Sequence, residues 1–178
     1  TGARNIAIGH GAMNSTDAGS TSLGSSDNIF MGYDAGGGTW TNTSSTGNVA
    51  IGNYTMDAAL DSANFNTAIG HYALSSLTTG DNNHAIGNNA GLNITTGTQN
   101  VLMGRDTGNK MVSGSNNVAI GDSSFYHSMG SSNNIVIGAS AGYNISTAGG
   151  SIFIGTKAGY ANRTGTGVIA IGYEAMGG

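Results

Sequence analysis

The chain has 178 residues, 32 of them glycine, and it contains neither proline nor cysteine. Charged residues make up 8% of it, about a third of the usual share, and the formal net charge is −4. Five lysines and arginines are too few to neutralise a run of phosphates, so the composition argues against a nucleic-acid partner. No apolar run is long enough for a membrane-spanning helix. The absence of cysteine removes disulfides and cysteine-type metal sites.

A short motif recurs along the chain and ends each time in a glycine that follows two or three apolar or small residues. These glycines are Gly9, Gly32, Gly52, Gly70, Gly87, Gly104, Gly121, Gly138, Gly155 and Gly172. The first three intervals are 23, 20 and 18 residues, and the remaining six are all 17. A fixed period of this kind is typical of a stacked repeat architecture, and disorder would not place isoleucines so regularly.

Regular columns of residues precede these glycines. Asparagine stands four residues before the glycine in all units but the last two, and isoleucine or methionine always stands one residue before it. The position three before is mostly isoleucine or valine, with Thr67 and His84 as exceptions, and the position two before is often alanine. Because successive side chains of a strand point to opposite faces, we predict a short strand with the large apolar pair on one face and the asparagine and alanine columns on the other.

Longer, irregular coils occupy residues 5–65, and regular 17-residue coils follow over 66–178. A second glycine-containing turn about ten residues after the first predicts two short strands and two turns per coil. We therefore predict an all-β fold, a single domain over 1–178 built as a parallel β-roll, or β-solenoid, of about ten coils. Stacked asparagines would satisfy one another's amides, and stacked isoleucines would form an apolar strip. The alanine column would let another chain approach closely, so we expect an oligomer with chains side by side.

The stretch NTAIGHYALSSLTTGDNNHAIG (66–87) resembles the NTAIG…AL…NTTG…N repeats of bacteriophage tail fibres and related bacterial surface fibres. It is also similar, more loosely, to the head repeats of YadA-like trimeric autotransporter adhesins. The resemblance covers nearly the whole chain, and the long first coils depart from the family pattern. It implies a left-handed roll, a homotrimer, and an extracellular fibre on a virion or cell surface that binds a surface glycan or protein. Such a segment would be no enzyme, need no cofactor and insert into no membrane, and we expect the chain to be a piece of a longer fibre.

The irregular segments 10–27 and 33–47 are candidate binding loops, because insertions in solenoids often carry function. The second segment holds the only tryptophan, Trp40, near Tyr33 and Asp34. An exposed indole would suit the apolar face of a sugar ring, with polar side chains binding the hydroxyls. The alternative is that Trp40 fills the widened coil or an interface between chains.

Two further candidates come from the columns. Tyr126, Tyr143 and Tyr160 stand five residues after their glycines, with Leu92 in the same column, and neighbouring coils would place the rings at stacking distance. This tyrosine column is either a platform for a glycan or a structural seal. His84 would be repeated three times about a trimer axis, where three imidazoles could bind a metal, and a hydrogen-bonded interface histidine is the alternative.

Two other functions are alternatives to the fibre segment. Asp106 and Asp122 lie at turn positions of adjacent coils, which suggests the carboxylate pair of a polysaccharide-degrading spike, although so short a coil encloses no cleft. An ice-binding solenoid is suggested by a column of hydroxyl residues, although this column is single where ice-binding faces have a double row. Its members are Thr79, Thr96, Ser113, Thr147 and Thr164.

Overall fold

The computed structural model describes residues 2–15, 24–40, 43–147 and 149–177. These residues form ten strands of three residues each, which pair in parallel and in chain order within one sheet. The strands are β1 (Ile6–Ile8), β2 (Ile29–Met31), β3 (Val49–Ile51), β4 (Thr67–Ile69), β5 (His84–Ile86), β6 (Val101–Met103), β7 (Val118–Ile120), β8 (Ile135–Ile137), β9 (Ile152–Ile154) and β10 (Ile169–Ile171). None of the described residues is α-helical, so no helix capable of crossing a membrane is found among them.

The strands stack in the register that the repeat predicts. Ile69 pairs with Ile86, and Ile86 pairs with Met103, so residues 17 apart in the chain lie side by side in the sheet. The backbone N–H of Gly87 donates to the carbonyl of Ile69 at 2.8 Å, and the same bond recurs from coil to coil. The predicted parallel β-solenoid with a period of about 17 residues is confirmed.

Each coil contains one strand, and the prediction of two strands per coil is wrong for the described residues. The chain on the far side of the coil is joined to its neighbours by backbone hydrogen bonds, such as Leu74 N–H to the Ala90 carbonyl at 3.0 Å and Thr78 N–H to the Thr95 carbonyl at 3.0 Å. Leu74 nevertheless has a φ of 49°, a left-handed conformation that breaks an extended strand. We call the stretch from about four to eight residues after each repeat glycine the second face, which is residues 74–78 in the coil of β4.

The strands alternate as predicted, but the alanine column points into the coil and the large apolar pair points out. Ala68 and Ala85 at the strand centres are fully buried, whereas Ile69 and Ile86 beside them are about 36% and 37% exposed. Alanine is therefore not the contact surface for another chain, and this part of the prediction is wrong. The physical reason lies in the second face, whose large inward side chains, such as Leu77, occupy the interior and leave little room opposite them.

The interior is filled by pairs of residues six apart whose sizes compensate. Where the strand centre is large, the partner is glycine: a Cβ built on Gly36 would lie 2.5 Å from the Phe30 ring, and one on Gly159 would lie 2.1 Å from the Phe153 ring. Where the strand centre is alanine, the partner is usually large. Examples are Ala50 with Met56, Ala68 with Leu74 and Ala119 with Phe125. This compensation keeps each coil close to constant volume, which close packing requires.

A ladder of buried asparagines runs through the coils and confirms the predicted amide stacking. Asn100 Nδ2 donates to Asn83 Oδ1 at 2.9 Å and to the Gly114 carbonyl at 2.8 Å. Its own Oδ1 accepts from the backbone N–H and the Nδ2 of Asn117, at 3.1 and 2.9 Å. Ser151 ends the ladder and accepts from the N–H of Val168 at 3.1 Å. Each side chain thus satisfies backbone groups that the turn leaves without a ladder partner.

Candidate functional site

The structure places Trp40 in the core, so the exposed indole expected for sugar binding is not present. The side chain is fully buried and packs edge-on against Phe30, with the ring centroids 5.6 Å apart. Its Nε1 has no hydrogen-bond partner among the described residues. Gly36 leaves space beside the Phe30 ring, and burial of the large indole removes apolar surface from water. Residues 16–23 and 41–42 of the two candidate loops lie outside the described residues.

Tyr33 belongs to a row of rings along the turn that follows the strands. It is 43% exposed, stacks on His10 with centroids 5.1 Å apart, and meets Tyr54 edge-on at 5.3 Å. Tyr54 in turn stacks on Tyr72 at 4.9 Å, next to His71. The sequence signal for this row is an aromatic residue one or two positions after each of the first four repeat glycines. The row covers the turn with rings whose faces are mostly occupied by one another.

Asp34 lies next to this row and faces Asp57 of the following coil. Partial burial raises the pKa of Asp57, and the negative charge of Asp34 adds to that rise. The Ser75 hydroxyl opposes it by donating to Asp57 Oδ1 at 2.6 Å. Desolvation beside the neighbouring rings also raises the pKa of Tyr54. The structure therefore brings Tyr33 and Asp34 to one edge, while Trp40 lies inside the coil.

Asp106 and Asp122 lie close together, and one arginine holds both. Arg105 contacts Asp106 Oδ2 at 2.9 Å and Asp122 Oδ1 at 2.8 Å, and Asp106 Oδ1 also accepts from the amide of Asn89 at 2.9 Å. Both carboxylates bind the same arginine, whereas the two carboxyl groups of a glycosidase face the scissile bond of the sugar. This arrangement resembles a structural ion cluster between coils.

The predicted tyrosine stack is present on the second face. Tyr126 and Tyr143 stack with centroids 5.0 Å apart and planes 9° from parallel, and Tyr143 and Tyr160 stack at 5.3 Å and 16°. Burial between the two neighbours raises the pKa of Tyr143. Because the stacked faces cover one another, the column presents ring edges and hydroxyls to solvent. A flat aromatic platform for a sugar ring is not formed within the column.

A groove runs beside this tyrosine column, and we call it the second-face groove. It has a volume of about 240 Å³ and is lined by His127, Met129, Asn144, Ser146 and Arg163. These residues stand six or eight places after their repeat glycines, on either side of an inward-pointing position, so their side chains form two rows with a gap between them. No column signal predicts this groove, since its lining residues differ from coil to coil.

The outward side of the ten strands is an exposed apolar surface, which we call the strand face. It consists of the first and third residue of every strand, and none of these is aspartate, glutamate, lysine or arginine. Ile86 and Ile135 are 37% and 40% exposed. Thr67 and His84 are the polar members of the strand face, and they are paired neighbours in the sheet. An exposed apolar surface that extends over ten neighbouring strands is characteristic of an interface between proteins.

The remaining candidates occupy exposed positions. His84 lies on the strand face, and no cluster of three or more metal-ligating side chains is found in the described ranges. The hydroxyl column that suggests the ice-binding alternative is exposed and forms one row, with Gly130 in place of a hydroxyl residue between Ser113 and Thr147.

Comparison with known proteins returns no match: no family model fits the chain, and no curated protein or solved structure is significantly similar to it.

Proposed function

We propose that this chain is a structural and receptor-binding segment of a trimeric extracellular fibre or adhesin, which attaches a virion or a bacterial cell to a surface glycan or protein. In this proposal three left-handed rolls lie side by side and cover one another's strand faces. The segment acts by binding and by spanning distance, without catalysis and without a cofactor. The resemblance of residues 66–87 to fibre repeats suggests the threefold arrangement.

The strand face is the observation that carries the proposal. The third residue of every strand is isoleucine or methionine, so the strand face carries an apolar row that is continuous from β1 to β10. The described charged residues lie elsewhere: Arg4–Asp27, Arg105–Asp122 and Lys157–Glu174 pair at the turns. Charged residues are depleted at the centre of protein interfaces, and apolar area removed from water supplies the driving force for association.

Further copies of this chain suit the strand face better than an unrelated partner. The strip repeats with the coil period, so a second copy presents the same pattern at the same spacing. Most soluble oligomers are symmetric assemblies of identical chains, and a surface that repeats with a fixed period is matched by itself along its whole length.

Two lysine substitutions test the proposal. Ile86→Lys places a charge at the centre of the strand face, whereas Thr96→Lys places the same charge at an exposed position away from it. In sedimentation equilibrium we expect Ile86→Lys to sediment as a single chain and Thr96→Lys to keep the mass of the wild-type assembly, because a buried unpaired charge is strongly disfavoured. An Ile86→Lys protein of unchanged mass, with circular dichroism like that of the wild type, would contradict the use of this face.

A further inference from the structure

The second-face groove lies on the side of the coil that faces away from the strand face. Val136 at the centre of β8 and Ile145 of the second face both point inward and meet beside Gly142, whose Cβ would lie 3.2 Å from Val136 and 2.7 Å from Ile145. The outward side chains of these two stretches therefore project in opposite directions. A fibre that covers its strand faces leaves the groove open to solvent.

The charged side chain in the groove lining is an arginine, although the chain as a whole is acidic. Arg163 lines the groove and forms no ion pair with any residue that the structure describes, whereas Arg4, Arg105 and Lys157 all do. No aspartate or glutamate lines the groove. An exposed guanidinium with no carboxylate partner is available to bind an anionic group through two parallel hydrogen bonds.

The rest of the lining combines polar and apolar groups that are held in place by neighbouring coils. The Asn144 amide donates to the Tyr160 carbonyl at 3.0 Å, and the Ser146 hydroxyl donates to the Arg163 carbonyl at 3.1 Å. His127 packs edge-on against Tyr126 and Tyr143, with centroids 4.9 and 5.2 Å away, which makes one wall rigid. A concave site with a few fixed polar groups and an apolar wall is the form that small-ligand sites take.

We propose that the second-face groove binds a sugar unit that carries a carboxylate or sulfate group. Arg163 contacts the anionic group, Asn144 and Ser146 contact hydroxyls, and Met129 with the ring edges of His127 packs against the apolar side of the sugar. This inference rests on the proposed function, since it assigns the receptor-binding role to a particular surface and a chemical class. One arginine is too little charge for a nucleic acid, which needs several phosphate contacts.

Isothermal titration of the whole chain with three oligosaccharides tests the inference. The probes are tetragalacturonate, which carries carboxylates, a chondroitin sulfate tetrasaccharide, which carries both anionic groups, and neutral maltotetraose. We compare wild type with Arg163→Gln and with Lys157→Gln. The second variant makes the same change in net charge at a turn, where Lys157 pairs with Glu174 at 3.3 Å. Physiological salt screens non-specific attraction between the acidic probes and distant cations.

We expect at least one anionic probe to bind wild type and maltotetraose not to bind. Arg163→Gln should weaken that binding by about tenfold or more, since it removes a charge-assisted contact, and Lys157→Gln should leave it unchanged. Absence of binding by both anionic probes, equal binding of the neutral probe, or an equal loss in both variants would overturn the inference. Binding of tetragalacturonate would show that a carboxylate is sufficient, and binding of the chondroitin sulfate probe alone would point to the sulfate group.

Light scattering on the same samples separates this inference from the fibre proposal. A trimer that binds neither anionic probe overturns the groove assignment and leaves the proposed assembly standing. A single chain that binds an anionic probe in an Arg163-dependent way overturns the assembly and leaves the groove assignment standing.

Discussion

Replacing Asn100 tests whether the asparagine ladder stabilises the solenoid as its geometry indicates. Asn100→Ala removes four hydrogen bonds: two that Nδ2 donates, to Asn83 and Gly114, and two that Oδ1 accepts from Asn117. Asn100→Ser is the graded variant, because Ser151 occupies the same ladder position in the native chain. There its hydroxyl donates to the Gly165 carbonyl at 3.3 Å and accepts from the Val168 N–H at 3.1 Å.

The magnitude follows from counting the lost bonds. Each net hydrogen bond contributes about 1 kcal/mol, and a buried group that is left without a partner costs about 1–3 kcal/mol. Asn100→Ala leaves the Gly114 carbonyl and the Asn117 backbone N–H without these partners, so we expect the free energy of unfolding to fall by about 4 kcal/mol. A serine that restores two of the four bonds should lose about half as much.

Urea unfolding followed by circular dichroism measures these differences, with the chain concentration held equal because assembly contributes to stability. We expect the unfolding free energy to decrease from wild type to Asn100→Ser and then to Asn100→Ala, with a similar slope against urea concentration for all three. A loss of less than about 1 kcal/mol for alanine, or an equal loss for serine and alanine, would refute the view that the side-chain hydrogen bonds carry the ladder.

Two further predictions concern the interior and the charge at the turn. Phe153→Ala should lower the unfolding free energy by about 3–4 kcal/mol through the cavity it opens. Adding Gly159→Met to Phe153→Ala should recover at least about 1 kcal/mol of the lost unfolding free energy. The reason is that the double variant has the same combination as the native pair Ala50 and Met56. Strict additivity in the double-mutant cycle would show that the two positions do not share one space. Asp57→Asn should raise stability at neutral pH, because burial raises the pKa of Asp57 and so penalises its ionised form in the folded protein. In thermal melts, the extra stability of Asp57→Asn should disappear as the pH falls through the pKa of Asp57 in the folded protein and then below its pKa in the unfolded chain. Extra stability that does not depend on pH would contradict the role of ionised Asp57.

The repeat predicts the features that depend on neighbouring positions in the chain. The period sets the register of β4 on β5, and the asparagine column sets the ladder, because each depends only on identical residues meeting their counterparts one coil away. The compensation between Phe153 and Gly159 is also readable in the sequence, since nine of the ten coils combine one small and one large residue at this spacing. Ala85 with Gly91 is the exception, and Leu74 and Leu102 of the adjacent coils fill the space there.

Features that depend on the whole coil are not predictable in this way. Alternation shows that Ala85 and Ile86 point to opposite sides, but it does not show which side is interior, and the second face decides this by filling the coil with residues such as Ile94. Trp40 stands eight residues after its repeat glycine, one position later than the inward residues Leu77 and Ile94 of the regular coils, so the longer coil hides its match to their column. The second-face groove arises from side chains of three successive coils, and it forms only when those coils stack.

The solution mass of the wild-type chain, measured by light scattering during size exclusion over a range of concentrations, tests whether the strand face joins copies of the chain. We expect an assembly of three times the chain mass of 17.7 kDa, because the strand face of each copy needs to be covered. A single species of 17.7 kDa at every concentration would contradict it, since ten strands of exposed isoleucine, valine and methionine would then face water.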